Sequence, residues 1–437
     1  MQTESSVPAS PILNQKGYGS RGYMGYVLLL MFFVYGLYGM HRMVMGLLVE
    51  PIKGDLHLSD SQMGIIIGPA FSLCFAIAGV PFGLLADRVN RRNMVAALIA
   101  AWSVATGLGG MAQSFTQMAI SRAAVGMGIA GGPPACMAMI TDIFPSNWRT
   151  TALSVFYMGG AIGGAAAFGA GAWSVAHFGW RNTLWLAAVP GLVLAMLIYF
   201  TVREPLRGLS DGRQNDTQHV SVKQTFGFII RQSAVVQITL GLIFLHMVGH
   251  GLMNFMSSFL IRTHNVSLSE AGGTISMLYF ITAPISQIAA GFLADFLGRF
   301  DVRWRLRLGL LGSILSALAL CTMTIVQSSS AAAVCFAVWS LSSGLFQAPL
   351  YALLLSLVKP KMRATMASIQ FVLTAAIGGA LGPLFVGMVS DFLRPEYGAD
   401  SLRYALFLLG FFYLWASMHF VFGERSLKRD LALAEQA

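Results

Sequence analysis

Residues 83–92 read GLLADRVNRR, and residues 291–299 carry a weaker copy of the same pattern, GFLADFLGR. In both copies an apolar stretch closes with Gly, two apolar residues and Ala, and an aspartate follows directly. A second pair of related loops occupies residues 142–149 and 359–363, one in each half of the chain. Internal repetition of this kind is typical of membrane proteins built from two related helical bundles with a site near the membrane midplane between them.

The composition is that of an integral membrane protein. Hydrophobic residues make up 56% of the 437 residues and charged residues 11%, whereas a soluble domain carries about 25% charged residues. Since an apolar stretch of about 20 residues spans the hydrocarbon core, the chain has room for about twelve spans. We therefore predict an all-α membrane protein with twelve transmembrane helices in two pseudo-symmetric six-helix bundles.

A long polar connection divides the chain between its sixth and seventh predicted spans. The polar N-terminal segment lacks the apolar core of a cleaved signal peptide, so we expect the first apolar stretch to remain as a helix. The predicted organisation is an N-tail (1–22), an N-terminal six-helix bundle (23–202), a linker (203–235), a C-terminal six-helix bundle (236–422) and a C-tail (423–437).

The positive charge is distributed by loop. The chain has 28 Lys and Arg and a formal net charge of +10, and most of the basic residues fall in predicted loops that share a side with the N-terminus. This asymmetry follows the positive-inside rule, so we predict a multi-pass protein of the plasma (inner) membrane with both termini cytoplasmic. It also argues against a nucleic-acid partner for the basic residues.

Several motifs resemble one family. The loop at residues 83–92 resembles the signature loop of the major facilitator superfamily, and RAAVGMG at residues 122–128 resembles its R-x-x-x-G-x-G segment. Within the superfamily, His41-Arg42, GWR at residues 179–181 and REPLRG at residues 203–208 are most similar to the spinster-like and organic-anion symporter branches. The resemblance spans roughly residues 23–422 and implies a transporter that works by alternating access.

Two positions depart from the spinster-like pattern. That branch usually has an acidic residue just before the span-one arginine, where this chain has His41. It often has Glu-Ala after the G-x-G of span four, where this chain has Ile129-Ala130. Two carboxylates expected for proton coupling are thus absent, and a proton-coupled mechanism cannot be carried over from the resemblance.

Two arginines, Arg42 and Arg122, stand alone inside predicted spans at a similar depth. A charge at the bilayer centre costs about 2.5–3.5 kcal/mol on insertion scales, and the planar guanidinium suits carboxylates and phosphates. We predict that both contact an anionic substrate. The alternatives are that Arg42 pairs with Glu50 or backbone carbonyls, and that Arg122 serves helix packing.

Polar groups at similar depth are further candidates for substrate contact. His41 adjoins Arg42, while His246 and His250 lie at i and i+4 on one face of span seven, with Asn254 one turn further on. No Asp, Glu or Cys in span seven supports a metal site, and the alternative is hydrogen bonding between helices. The remaining candidates for substrate contact are Tyr279, Gln347, Tyr351 and Gln370. The candidates for proton coupling are His41, Glu50 and His250.

The repeated charged loops are predicted to close the cytoplasmic side. In the family, the aspartate of the first loop contacts the other bundle near the start of span eleven, where a helix N-terminus favours negative charge. The alternative is that these charges only set the topology. The predicted cytoplasmic gate comprises Asp87, Arg88, Arg91, Arg92, Asp142, Arg149, Asp295 and Arg299.

The sequence therefore predicts a secondary active transporter for a small organic anion of the carboxylate type. Proton symport stays open as an alternative to uncoupled transport or exchange. A second reading is export of an amphipathic lipid-like or drug-like molecule, and a third is a non-transporting membrane sensor, although the polar segments are too short for an output domain. We expect no enzyme activity, cofactor or metal, and we expect the chain to act as a monomer in the lipid bilayer.

Overall fold

The computed structural model describes residues 20–86, 88–205, 222–359 and 362–435. Every regular element within these ranges is a helix. The helices form two bundles, so the all-α, two-bundle membrane fold is confirmed.

Four helices of the N-terminal bundle begin at a side chain that caps a free backbone N–H group. Ser20 accepts from the N–H of Tyr23, and Ser59 and Gln62 form a reciprocal capping box. The bundle consists of α1 (Arg21–Leu56), α2 (Asp60–Ile67), α3 (Pro69–Ala86), α4 (Arg91–Gly109), α5 (Phe115–Ala130), α6 (Gly132–Ile143) and α7 (Ser146–Thr201).

Helix α7 contains two membrane crossings joined at Gly179. The backbone there has φ 76° and ψ 167°, a conformation that glycine adopts without steric cost. The predicted fifth and sixth spans are therefore separated by a single glycine rather than by a loop.

A short helix, α8 (Val222–Ile230), belongs to the connection between the bundles. The C-terminal bundle that follows consists of α9 (Ser233–His264), α10 (Leu268–Gly298), α11 (Trp304–Ile325), α12 (Ser329–Ser356), α13 (Arg363–Leu373), α14 (Gly379–Tyr397) and α15 (Ser401–Glu435). A π-helical turn, Thr374–Gly378, joins α13 to α14. Such turns insert one extra residue into a helix and often occur near functional sites.

Nine segments of the described chain are long and apolar enough to cross a membrane. Two of them, Thr151–Thr201 and Thr365–Ala434, are long enough for two crossings each, and they turn at Gly179 and near Gly398. With α4, which packs between α5 and α7, these crossings agree with the twelve predicted spans.

Four helix pairs join the bundles. Helix α1 packs on α9, α2 and α3 pack on α14, and α7 packs on α10. At the first contact, a Cβ on Gly46 would lie 2.9 Å from the Met253 carbonyl oxygen. The bundles therefore meet closely in the half of the molecule where α1 and α9 end, which we call the closed end.

We predict opposite effects for two alanine substitutions in α1. Gly46→Ala should lower the melting temperature, because the added methyl meets the backbone of α9 and overpacking typically costs about 1–3 kcal/mol. Gly54→Ala is the matched control, because nothing lies within 4 Å of its Cβ position and alanine favours a helix by about 1 kcal/mol over glycine. Thermal unfolding in detergent measures both; a Gly46→Ala protein at least as stable as wild type would contradict the close packing.

Candidate functional site

Arg42 projects from α1 toward the C-terminal bundle and is half-buried. Its Nη1 donates to the Tyr38 hydroxyl at 2.6 Å, and its Nη2 lies 2.7 Å from Nε2 of His250 on α9. The first contact holds the guanidinium against its own helix, and the second joins the two bundles. Arg42 therefore lies at the interface around which the bundles would move.

The hydrogen bond to His250 fixes the protonation state of that ring. A guanidinium only donates hydrogen bonds, so Nε2 of His250 accepts, and the imidazole is neutral with its proton on Nδ1. His246 lies one turn away, and the two ring centroids are 6.2 Å apart. Its Nδ1 donates to the Leu242 carbonyl at 2.8 Å, which leaves Nε2 of the neutral ring as an acceptor.

Three tyrosines from three helices complete the surroundings of Arg42. Its charge interacts electrostatically with Tyr35 on α1, Tyr279 on α10 and Tyr351 on α12. The Tyr351 ring packs edge-on to His246 at 6.3 Å, and all three tyrosines are half-buried. We call Tyr35, Tyr38, Arg42, His246, His250, Tyr279 and Tyr351 the Arg42 cluster.

No carboxylate pairs with Arg42 among the residues that the structure describes. The described parts of the chain also contain no group of three His, Cys, Asp or Glu side chains that could hold a metal ion. The Arg42 cluster thus offers one permanent cation together with hydroxyl and imidazole groups. That set can hold an anion through charge and hydrogen bonds.

Arg122 on α5 has different surroundings. It is 3% exposed, and its guanidinium carbon lies 4.8 Å from the centre of the Phe71 ring. Nη1 donates to the His41 carbonyl at 3.4 Å, while Nε has no partner among the described residues. The side chain packs within the N-terminal bundle, behind α1, and its contact with a substrate stays a prediction.

The structure does not bring the His41 ring to Arg42. Nδ1 lies 2.8 Å from the Thr106 hydroxyl and Nε2 lies 3.1 Å from the Ala187 carbonyl, and the side chain is fully buried. Successive helix residues point about 100° apart, so one residue faces the bundle interface and its neighbour faces α4 and α7. In this structure the His41 side chain packs inside the N-terminal bundle. Its roles in substrate binding and proton coupling stay predictions.

The predicted amides occupy three different environments. Asn254 is 6% exposed; its Nδ2 donates to the His250 carbonyl at 2.8 Å, and its Oδ1 has no partner among the described residues. Gln370 is fully buried, and both of its amide atoms lack a partner in the described chain. Gln347 is exposed and lies one turn before Tyr351 on α12. Asn254 is thus linked to the Arg42 cluster through His250.

A charged network joins the bundles at the closed end. Arg262 at the end of α9 donates to Glu50 through Nε at 2.9 Å and Nη2 at 2.6 Å. It also donates to both carboxylate oxygens of Asp60 at 2.7 Å each, and Lys53 pairs with the same carboxylate. Glu50 therefore pairs with Arg262 of α9. The alternative considered for Arg42, an ion pair with Glu50, does not occur in this structure.

Asp391 on α14 adds a second link across the bundles. Its two carboxylate oxygens accept from the backbone N–H groups of Asp60 at 3.0 Å and Ser61 at 2.7 Å, where the start of α2 favours negative charge. Ser390 donates to Asp60 at 2.7 Å, and Asp60 is fully buried. Both oxygens of the buried Asp60 carboxylate thus have hydrogen-bond partners.

Sequence reasoning missed this closed-end network of Glu50, Lys53, Asp60, Arg262, Ser390 and Asp391. One signal was present: oppositely charged residues end or begin four different helices on the same side of the predicted topology. That pattern does not say which charges meet, because Arg262 lies more than 200 residues from Glu50 and Asp60 in sequence.

Four of the predicted cytoplasmic gate residues have described partners in the N-terminal half of the chain: Arg91, Arg92, Asp142 and Arg149. Nη1 of Arg91 pairs with Asp142 at 2.6 Å, and the backbone N–H groups of Arg91 and Arg92 donate to Glu204 at 2.9 and 2.8 Å. Nε of Arg149 donates to the Phe144 carbonyl at 3.1 Å. The remaining gate residues are Arg88, Asp295 and Arg299, which are exposed, and Asp87, which lies outside the described residues. Gating by this set stays a prediction.

A model of the Major Facilitator Superfamily matches residues 28–383. An MFS-type efflux pump of Mycolicibacterium smegmatis is 31% identical over 373 residues, which cover 84% of this chain and 85% of the pump. A cis,cis-muconate transport protein of Acinetobacter baylyi is 29% identical over 264 residues, covering 59% of this chain and 63% of that protein.

A crystal structure of a bacterial homolog of the human lysosomal transporter Spinster, inward-facing and unoccupied, has a TM-score of 0.86. It is 27% identical, and the match covers 94% of this chain and 99% of that one. Its helices therefore follow the same path over nearly the whole length of both proteins.

We predict that Arg262→Ala opens the closed end. The substitution removes the ion pairs of Arg262 with the buried Asp60 and with the partly exposed Glu50, and breaking a buried pair typically costs about 3–5 kcal/mol. A cysteine placed at the buried Ser257, in a variant whose four native cysteines are replaced, should then react several-fold faster with a maleimide. Arg181→Ala is the matched control, because its pair with Asp55 is exposed and such pairs contribute about 0–1 kcal/mol. Equal labelling of both variants would contradict the role of the network.

Proposed function

This chain belongs to the Major Facilitator Superfamily, and we propose that it carries a small organic anion of the carboxylate type across the membrane. Alternating access would rock the two bundles about the Arg42 cluster. The chain is a multi-pass membrane transporter rather than an enzyme. Its substrate class is the subject of the proposal.

The observation that carries the proposal is the unpaired charge of Arg42. Its guanidinium lies between the bundles and, among the described residues, donates hydrogen bonds to a phenol and a neutral imidazole but to no carboxylate. Arginine stays protonated in proteins, so the site keeps its positive charge in every conformation. A carboxylate bound there would receive charge-assisted hydrogen bonds, which are about twice as strong as neutral ones.

The aromatic side chains suggest what the body of the anion looks like. Tyr35 and Tyr38 stack at 4.9 Å, and Tyr157 packs edge-on to Tyr35 at 5.3 Å. These rings offer flat apolar faces beside the cation, which suits an unsaturated or aromatic carboxylate. The relative that transports cis,cis-muconate is consistent with such a substrate.

We further propose that the closed end faces outward. The basic loops at the opposite end favour the cytoplasm, and a structure that resembles this one is described as inward-facing. Both termini would then be cytoplasmic, in the plasma (inner) membrane. Because one chain supplies every residue of the Arg42 cluster, a monomer suffices for transport.

Export of an amphipathic, drug-like molecule is the second candidate. It is favoured by the 31% identity to an MFS-type efflux pump. The two proposals differ in what they require of Arg42: a neutral or cationic drug needs no permanent cation in the site, whereas a carboxylate does.

We predict that Arg42→Gln lowers uptake of carboxylates in proteoliposomes by about 10- to 100-fold. The estimate follows from the 1.5–3 kcal/mol that a hydrogen bond to a charged group contributes and from 1.4 kcal/mol per tenfold change. The probes are cis,cis-muconate, adipate and quinate, and Arg394→Gln, an exposed arginine at the end of α14, is the matched control. Ethidium efflux that persists in Arg42→Gln, together with no carboxylate uptake by the wild type, would favour drug export instead.

A further inference from the structure

We propose that His250 is the proton-coupling residue of this transporter, and that it takes up its proton when an anion binds Arg42. The inference rests on the proposed anion transport. It starts from the hydrogen bond between Nη2 of Arg42 and Nε2 of His250 at 2.7 Å. In that bond the imidazole nitrogen is the acceptor, so it cannot carry a proton while the bond exists.

Anion binding would release this nitrogen. Each terminal nitrogen of the guanidinium carries two N–H groups. A carboxylate that binds both terminal nitrogens, as arginine–carboxylate pairs often do, and takes the N–H that now donates to His250 displaces the imidazole from Nη2. The freed Nε2 then lies beside a negative charge and takes up one proton from hydronium of the bulk solution, which becomes water, and the ring becomes an imidazolium. The new N–H donates to the same carboxylate, so the proton and the anion stabilise each other in the site. No other bond forms or breaks, and both leave together.

Few titratable side chains face the His250 ring, so few could carry the coupled proton in its place. Arg42 approaches from α1, His246 lies one turn away on α9, and Tyr279 and Tyr351, whose phenols also interact with Arg42, come from α10 and α12. Gly379 of α14 closes another side, since its Cβ position lies 3.7 Å from the imidazole. Among the described residues no carboxylate faces the ring.

The other candidates for proton coupling are engaged elsewhere. Both ring nitrogens of His41 are hydrogen-bonded within the N-terminal bundle. Glu50 is held by Arg262 at the closed end. The span-four position at which relatives often have a glutamate is Ile129, which is fully buried.

The net charge of the site predicts how uptake responds to the membrane potential. The empty site carries one positive charge, on Arg42, because His250 is neutral. With a monocarboxylate and one proton bound, the site carries the same charge, so the two forms respond equally to the membrane potential. A dicarboxylate with one proton moves one net negative charge. Uptake of quinate should therefore be insensitive to the potential, whereas uptake of cis,cis-muconate should be accelerated by an inside-positive potential.

The test compares full-length wild type, His250→Gln and His419→Gln in proteoliposomes that contain the pH indicator pyranine. His419 is the matched control, because its ring pairs with Gln237 on α9 outside the Arg42 cluster. Counterflow of cis,cis-muconate, adipate and quinate reports an intact site without net proton movement. Acidification of the lumen during net uptake reports the coupled proton, and valinomycin with potassium gradients sets the potential.

We expect similar counterflow in wild type and His419→Gln and slower but measurable counterflow in His250→Gln, because Arg42 remains. Net uptake should acidify the lumen by about one proton per anion in wild type and His419→Gln and by none in His250→Gln. Acidification that persists in His250→Gln overturns the assignment, as does counterflow without acidification in the wild type; in both cases the anion-transport function stands. Loss of counterflow in His250→Gln alone makes the residue a binding contact and also overturns it. No counterflow of any probe by the wild type overturns the proposed function itself.

Discussion

The structure depends on one cation that has no fixed counter-ion among the described residues. Arg42 lies on α1 at the interface of the bundles, with Tyr38 and His250 as its hydrogen-bond partners. An isolated charge in a low-dielectric interior is costly unless it is paired. In the proposed transport cycle, a mobile anion removes that cost only while it is bound, so occupancy of the site would be energetically linked to the arrangement of the two bundles.

At the closed end, by contrast, a buried charge is balanced by fixed partners. Asp60 is fully buried, yet Arg262, Lys53 and Ser390 satisfy its oxygens. The same two helices carry both arrangements: α1 places Arg42 two turns before Glu50, and α9 places His250 three turns before Arg262. Any rotation between α1 and α9 must therefore change the Arg42 cluster and the closed-end network together.

The sequence was sufficient for the fold because the repeated loops, apolar lengths and loop charges are local properties. It also singled out Arg42, His246 and His250, which the structure places close together, since a lone charge in a span and an i, i+4 pair are visible without coordinates. It could not assign the direction of His41, because a rotation of about 100° separates the bundle interface from the bundle core. Nor could it pair Arg262 with Asp60, because pairing of charges on distant helices depends on the tertiary packing alone.

The π-helical turn at Thr374–Gly378 has a consequence for how this chain can vary. It holds one surplus residue between α13 and α14, and the widened turn absorbs that residue, so the helix beyond it keeps the orientation of an unbroken α-helix. Deleting one amino acid within the turn would therefore restore ordinary helical winding and leave Asp391 facing the amides that begin α2. Homologous chains should thus tolerate a one-residue gap in this short segment, whereas a gap in the regular turns before it would rotate the rest of the helix by about 100°.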